Sequence, residues 1–270
     1  MPAYASLYAG LAVRGFRRYA TYRSATLAGV VTNTVFGIII AFTFIALWEE
    51  RPRLGGYGVA EALTFCWIAQ ALIMPVGLFG GSMVAEVSDR VRTGAIASDL
   101  LRPVPFLAVR LAEDLGRAAY HLLARGVAPL LVGALLFDLA WPSGAGTWLL
   151  FLVSVTLAVV IGFALRYLLG LLAFWLVETS GFANLLVVTQ IFCSGSILPL
   201  VAFPDWLRGV MELLPFRCMV QVPIDVLLRD DTGTAALPLI ALQVAWAAGL
   251  LGVGAALTRL AVRLVVVHGG

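Results

Sequence analysis

The chain runs without a charge for 25 residues from Ser24 to Trp48, for 24 from Ala62 to Ala85 and for 27 from Thr232 to Thr258. Trp148 to Val177 repeats the pattern with Arg166 as its one interruption. Each run meets or exceeds the ~20 residues a helix needs to cross roughly 30 Å of hydrocarbon. The bilayer offers a backbone no hydrogen-bond partner, so a crossing segment must be a helix or part of a closed barrel. Barrel strands alternate in polarity over about ten residues, and stretches such as Val35 to Trp48 do not. The chain is therefore predicted to be an all-α polytopic membrane protein. Composition agrees: 61% hydrophobic and 12% charged, against about 45–50% and about 25% in a soluble domain.

Six transmembrane helices are predicted in one domain over residues 1–270. Span one is Ser24 to Trp48 and span two lies within Ala62 to Ala85, where Pro75, Gly77, Gly80 and Gly81 should bend or loosen its second half. Span three is placed within Ala118 to Leu139, with Arg125 snorkelling to the interface. Trp148 to Val177, Gly181 to Pro204 and Thr232 to Thr258 supply the remaining three. The polar Glu49 to Gly58 and Phe137 to Gly146 read as loops. Residues 204–231 are too polar to span and too apolar to hang free, so they read as an external re-entrant or surface-lying helical hairpin. There Asp205 is expected to cap a short helix whose apolar face holds Leu207, Val210, Met211 and Leu214. Residues 1–23 carry Arg14, Arg17, Arg18 and Arg23 among Leu7, Leu11 and Phe16, which suits an interfacial amphipathic helix. An irregular basic flank is the rival reading.

With six spans both termini share one side. Placing them inside puts eleven arginines in cytoplasmic segments and five outside, with Arg125 and Arg166 unassigned, so the bias favours cytoplasmic termini. A bacterial inner membrane is the expected location.

All 18 basic residues are arginine. Without lysine the chain holds neither a P-loop phosphate site nor Schiff-base chemistry, so any ATP that drives it must bind on another polypeptide. Cys66, Cys193 and Cys218 lack CxxC spacing and the only histidines are His121 and His268, so no metal site is expected. Nothing in the chain calls for nucleic acid. Glu49-Glu50 and Ser194-Gly195 touch on protease patterns, but the first is read as a loop and the second has no activating histidine in a partner span.

Glu86 to Arg117 packs ten of the 33 charged residues into 32 positions between apolar segments. It is predicted to be a water-facing loop. Charge runs usually just face water, yet Leu100-Leu101 and Val104 to Leu107 add apolar surface and Pro103 ends a helix at a fixed point. Those details favour a docking surface.

The pattern Glu86, Thr93-Gly94 with Ile96, and Leu100-Leu101-Arg102-Pro103 resembles the coupling region of permease subunits of ATP-binding-cassette exporters of the type-2 class. The six-span layout and Phe203 to Phe216, similar to that family's external hairpin, extend the resemblance over nearly the whole chain. Many relatives carry a glutamate soon after the Thr-Gly pair, where this chain has Ala97-Ser98-Asp99. The resemblance implies a second permease subunit, identical or related, surrounding membrane lipid, and a cytoplasmic ATPase subunit that binds ATP and Mg. It implies ATPase coupling through residues 86–102, with Glu86, Asp89, Arg90, Arg92, Thr93, Gly94 and Asp99 as contacts, and export of a drug-like, lipid or other amphiphilic substrate.

Asn33, Gln70, Asn184 and Gln190, together with Thr32, Thr34 and Thr189, are candidates to line a substrate path, or to hydrogen-bond neighbouring helices for about 0.6–2 kcal/mol each. A secondary, ion-coupled transporter is the alternative. It is disfavoured because no inverted repeat is visible and Arg125 and Arg166 are the only deep charges expected.

Overall fold

The computed structural model describes residues 2–79, 82–176, 178–228 and 235–268. Gly80, Gly81, Val177, residues 229–231 of the expected hairpin and the Thr232 start of the sixth span lie outside them. All regular structure among the described residues is helical. In order these are α1 (Pro2–Ala20), α2 (Arg23–Glu50), α3 (Val59–Leu72), α4 (Ser82–Arg92), α5 (Ile96–Leu100) and α6 (Phe106–His121). A π-turn, Leu122–Gly126, joins α6 to α7 (Val127–Leu136), followed by α8 (Ala145–Leu171), α9 (Ser180–Cys193), α10 (Asp205–Glu212), α11 (Gln221–Leu228) and α12 (Ala236–His268).

Four helices are long and apolar enough to cross a membrane: Arg23–Glu50, the continuous Phe106–Leu136, Ala145–Phe174 and Ala236–Arg263. The shorter apolar helices α3 and α9 stand where the second and fifth spans are predicted. At 14 residues each they rise about 21 Å, short of the hydrocarbon thickness. Non-helical backbone must finish both passages, and in lipid it survives only inside protein.

The second segment shows how. Helix α3 stops at Leu72 and the chain turns through residues 73–79 before α4 begins. Val76, Gly77 and Leu78 are buried there, and Gly77 takes a left-handed φ of 77°. The predicted bend is thus a full break. The fifth segment ends its helix at Cys193 rather than continuing to Pro204. It turns at Gly195, and the backbone beyond pairs with α11: Gln221 N–H donates to Ser194 O, and Leu200 N–H to Gln221 Oε1.

The hairpin is built into the protein rather than laid on its surface. Val222, Ile224, Val226 and Leu227 of α11 are buried against α8 and α3. Gln243 of α12 donates to Cys218 O and accepts from Ser154 of α8, tying three elements with buried hydrogen bonds. Asp205 does not cap α10. Pro204 occupies that position, and Asp205 pairs instead with Arg208 at 3.4 Å. In α10 Met211 is buried while Val210 is exposed.

Within that basic segment Pro2–Ala20 form a helix, α1, and not an irregular flank. Helix α1 lies along α6, and the two backbones meet at paired glycines. A Cβ on Gly15 would fall 2.1 Å from Glu113 O, and one on Gly116 would fall 1.8 Å from Ala12 O. Only hydrogen fits at either place.

The charged stretch is not a loop. Its residues continue α4, form α5 and begin α6, so the helix that carries the third span starts at Phe106, far ahead of Ala118. Acids and arginines three apart meet on one helix face, as Arg110–Glu113 (3.0 Å) and Asp114–Arg117 (2.6 Å) do. Covering by α1 and α8 then buries what composition alone would leave in water.

Candidate functional site: the coupling turn and the ion triad beneath it

Helices α4 and α5 make a compact V at one end of the molecule. Ile96 is buried with Val87 of α4, Phe106 of α6, and Phe163, Tyr167 and Leu171 of α8. That apolar plug fixes the turn to three helices. Gly94 at its apex has φ of 71°, a conformation that favours glycine, while open space surrounds its Cα. Thr93 Oγ1 donates to Asp89 O at 2.8 Å, closing the last turn of α4.

The predicted contacts separate into two sets. Asp89, Arg92, Thr93 and Gly94 are exposed. Arg90 and Asp99 face inward: Arg90 Nε donates to Asp99 Oδ2 at 2.6 Å, and Asp99 is buried. Arg102 approaches Asp99 at 3.6 Å. Asp99 therefore fastens the two arms of the V together. Glu86, one turn before Arg90 on α4, accepts from Arg18 of α1 at 3.2 Å, with Arg110 at 3.5 Å. The Glu86 carboxylate raises the pKa of Arg18, partly opposed by burial. Leu101 leaves the V almost fully, with 85% of its surface in solvent.

Below the turn lies a group that sequence reasoning missed. Asp114, Arg117 and Arg166 are 5%, 7% and 3% exposed. Arg166 donates to both Asp114 oxygens, at 3.1 and 3.0 Å, and Arg117 donates to the same two at 2.6 and 3.1 Å. Arg117 also donates to Met74 O at 2.8 Å and Pro75 O at 2.9 Å, two carbonyls freed by the break after α3. The triad thus satisfies the irregular backbone between α3 and α4 and binds it to α6 and α8. Its spacing signal was present, since Asp114 and Arg117 are three apart. Arg166 supplies the second arginine from 49 positions further on.

Deep charge is therefore not confined to Arg125 and Arg166. Arg125 crosses the site where α2 has Gly29, and a Cβ there would lie 1.9 Å from its guanidinium. His121, expected outside the spans, is buried on α6 against the Tyr19 ring at 5.0 Å. Glu49 and Glu50 belong to the end of α2 rather than to a loop.

The four path candidates are spread over three helices. Asn33 and Gln70 lie on α2 and α3, and Asn184 and Gln190 on α9. Asn184 is exposed and borders a cavity of about 250 Å³ shared with Ser88, Asp89 and Arg92 of α4. At its rim Glu178 accepts from Ser180 N–H, which lowers the Glu178 pKa. Gln70 and Gln190 are buried. Gln190 Nε2, Asn33 Nδ2 and Ser194 Oγ find no partner among the described residues. The hydroxyls of Thr32, Thr34 and Thr189 donate to carbonyls of their own helices, four residues back.

A family model described as ABC-2 family transporter protein matches residues 34–264. The chain belongs to that family. It is a multi-pass membrane permease subunit of an ATP-binding-cassette transporter, a transport component that associates with an ATP-binding-cassette subunit. No match was found among curated proteins or among solved structures. In this permease, Arg90 and Asp99 of the α4–α5 turn line one cavity with Asp114 and Arg117 of the triad.

Proposed function

We propose that the permease works as one of a pair, identical or related, in a bacterial inner membrane with both termini cytoplasmic, exporting an amphiphilic substrate. ATP and Mg²⁺ are held by a separate ATPase seated on the α4–α5 turn. The observation that carries this reading is the two-sided character of the turn: its inner face is locked by Ile96 and the Arg90–Asp99 pair, while Asp89, Arg92, Thr93, Gly94 and Leu101 face outward. A rigid inner face transmits displacement and a free outer face receives it. Coupling then requires that the contact differ between two ATPase states, because equal affinity for both shifts nothing.

From the turn a displacement reaches the second segment through α4 and the triad-held break, and reaches α9 through Ser88, whose hydroxyl lies 3.1 Å from that of Thr179. Gln190 and Ser194 stand one turn apart at the end of α9 with unpartnered polar atoms, groups that a substrate or a second permease would satisfy. Exposed apolar side chains on α2 (Val31, Val35, Ile39) and α9 (Leu185, Val188, Phe192) suit lipid and a second subunit.

Leu101→Asp tests the docking. A charge in place of an exposed apolar anchor is expected to reduce ATPase recovered with the affinity-purified permease by about tenfold, the effect of removing one modest hot spot. Undiminished recovery would remove Leu101 from the interface.

A further inference from the structure

A cavity of about 470 Å³ opens between α1, α4, the 100–105 segment and the start of α6. Six arginines line it, Arg14, Arg18, Arg90, Arg102, Arg110 and Arg117, against four carboxylates. Every one of those carboxylates already holds an arginine. Arg14 makes no hydrogen bond or ion pair among the described residues, Arg102 has one contact at 3.6 Å, and the buried Arg110 Nε has no partner. An excess of two positive charges thus converges on an empty space with donors to spare. The opposite wall, Met83, Val104, Phe106 and Val109, is apolar.

Depth selects the kind of anion. The continuous helix Phe106–Leu136 has 31 residues, about 46 Å at ~1.5 Å per residue, against ~30 Å of hydrocarbon. Roughly ten residues must project beyond the hydrocarbon. The cavity takes its α6 lining from Phe106 to Arg117, so it lies at headgroup level, with its apolar wall available to the top of an acyl chain. The outward-facing Arg92 and Asp89 line a separate cavity, on the opposite face of α4.

We propose that this cavity binds the phosphodiester headgroup of an anionic phospholipid, with Arg14 and Arg102 as its principal free donors. Bound there, the lipid bridges α1 to the α5–α6 segment and neutralises the surplus charge beneath the coupling turn.

The test is native mass spectrometry of the full chain in mild detergent, titrated with phosphatidylglycerol or phosphatidylcholine, with inorganic phosphate as competitor. Wild type is expected to retain one phosphatidylglycerol in preference to phosphatidylcholine. Arg14→Ala with Arg102→Ala should weaken that retention roughly thirtyfold, while Arg208→Ala, distant on α10, should leave it unchanged. Both substituted arginines are exposed, and an unshifted thermal midpoint would show that the fold is intact. Equal retention of the two lipids, or equal phosphatidylglycerol retention by the double variant, would overturn the proposal. Complete displacement by equimolar inorganic phosphate would assign the site to a free anion, and displacement only by the ATPase would assign it to that partner's carboxylates. Either would overturn the lipid.

Discussion

Asp114→Ala is expected to destabilise the permease by about 3–5 kcal/mol, the loss typical when one member of a buried ion cluster is removed. The variant leaves Arg117 and Arg166 facing each other without the carboxylate that both now hold. It also loosens Arg117 from Met74 O and Pro75 O, so the backbone between α3 and α4 loses its hydrogen bonds in an apolar setting. Removing Arg166 as well, as Asp114→Ala with Arg166→Met, should be less damaging than the sum of the two single changes, because one orphaned charge leaves with its partner. Thermal unfolding in detergent reads both. A loss below about 1 kcal/mol for Asp114→Ala would mean that water or another group already screens the arginines, and the triad would no longer explain the break.

The second large effect is expected at Gly162. A Cβ there would lie 2.1 Å from Val76 O, a backbone atom of the same break. Gly162→Val must therefore push α8 from the second segment or displace the turn itself, at a cost of about 3 kcal/mol or more. Gly146, at the beginning of the same helix, has nothing within 4 Å of where a Cβ would stand, and Gly146→Val, which gains slightly in helix propensity, should leave stability within about 1 kcal/mol of wild type. Comparable midpoints for the two variants would contradict the close contact between α8 and the break.

What could be read in the chain followed from local chemistry. Uninterrupted apolar runs announced the membrane segments, and Pro75 with the following glycines announced the weak point of the second one. The apex glycine, the Thr93 hydroxyl and the exposed Leu101 were also local features, so the α4–α5 turn itself was legible. The triad was not, because Arg166 comes from a different helix and charge in a sequence reads as solvent exposure until a partner is found. The same bias hid that the helix carrying the third span begins at Phe106, twelve residues ahead of Ala118. Nor could residue type show that Asp99 faces inward to Arg90, or that α1 is held to α6 through Gly15 and Gly116. The family match rests on residues 34–264, and therefore leaves α1 to be understood from packing alone.

Passage of ATPase motion through the exposed apex is tested most directly by measuring hydrolysis and transport together in proteoliposomes holding the complete complex. Arg92→Glu reverses an exposed charge, and Gly94→Val forces a β-branched residue into a left-handed backbone, whereas Gly94→Asn tolerates that conformation. The account predicts that Arg92→Glu and Gly94→Val hydrolyse ATP with at least about tenfold less substrate moved per ATP, a coupling loss of roughly 1.4 kcal/mol, while Gly94→Asn stays near wild type. Transport per ATP unchanged in both Arg92→Glu and Gly94→Val would contradict it.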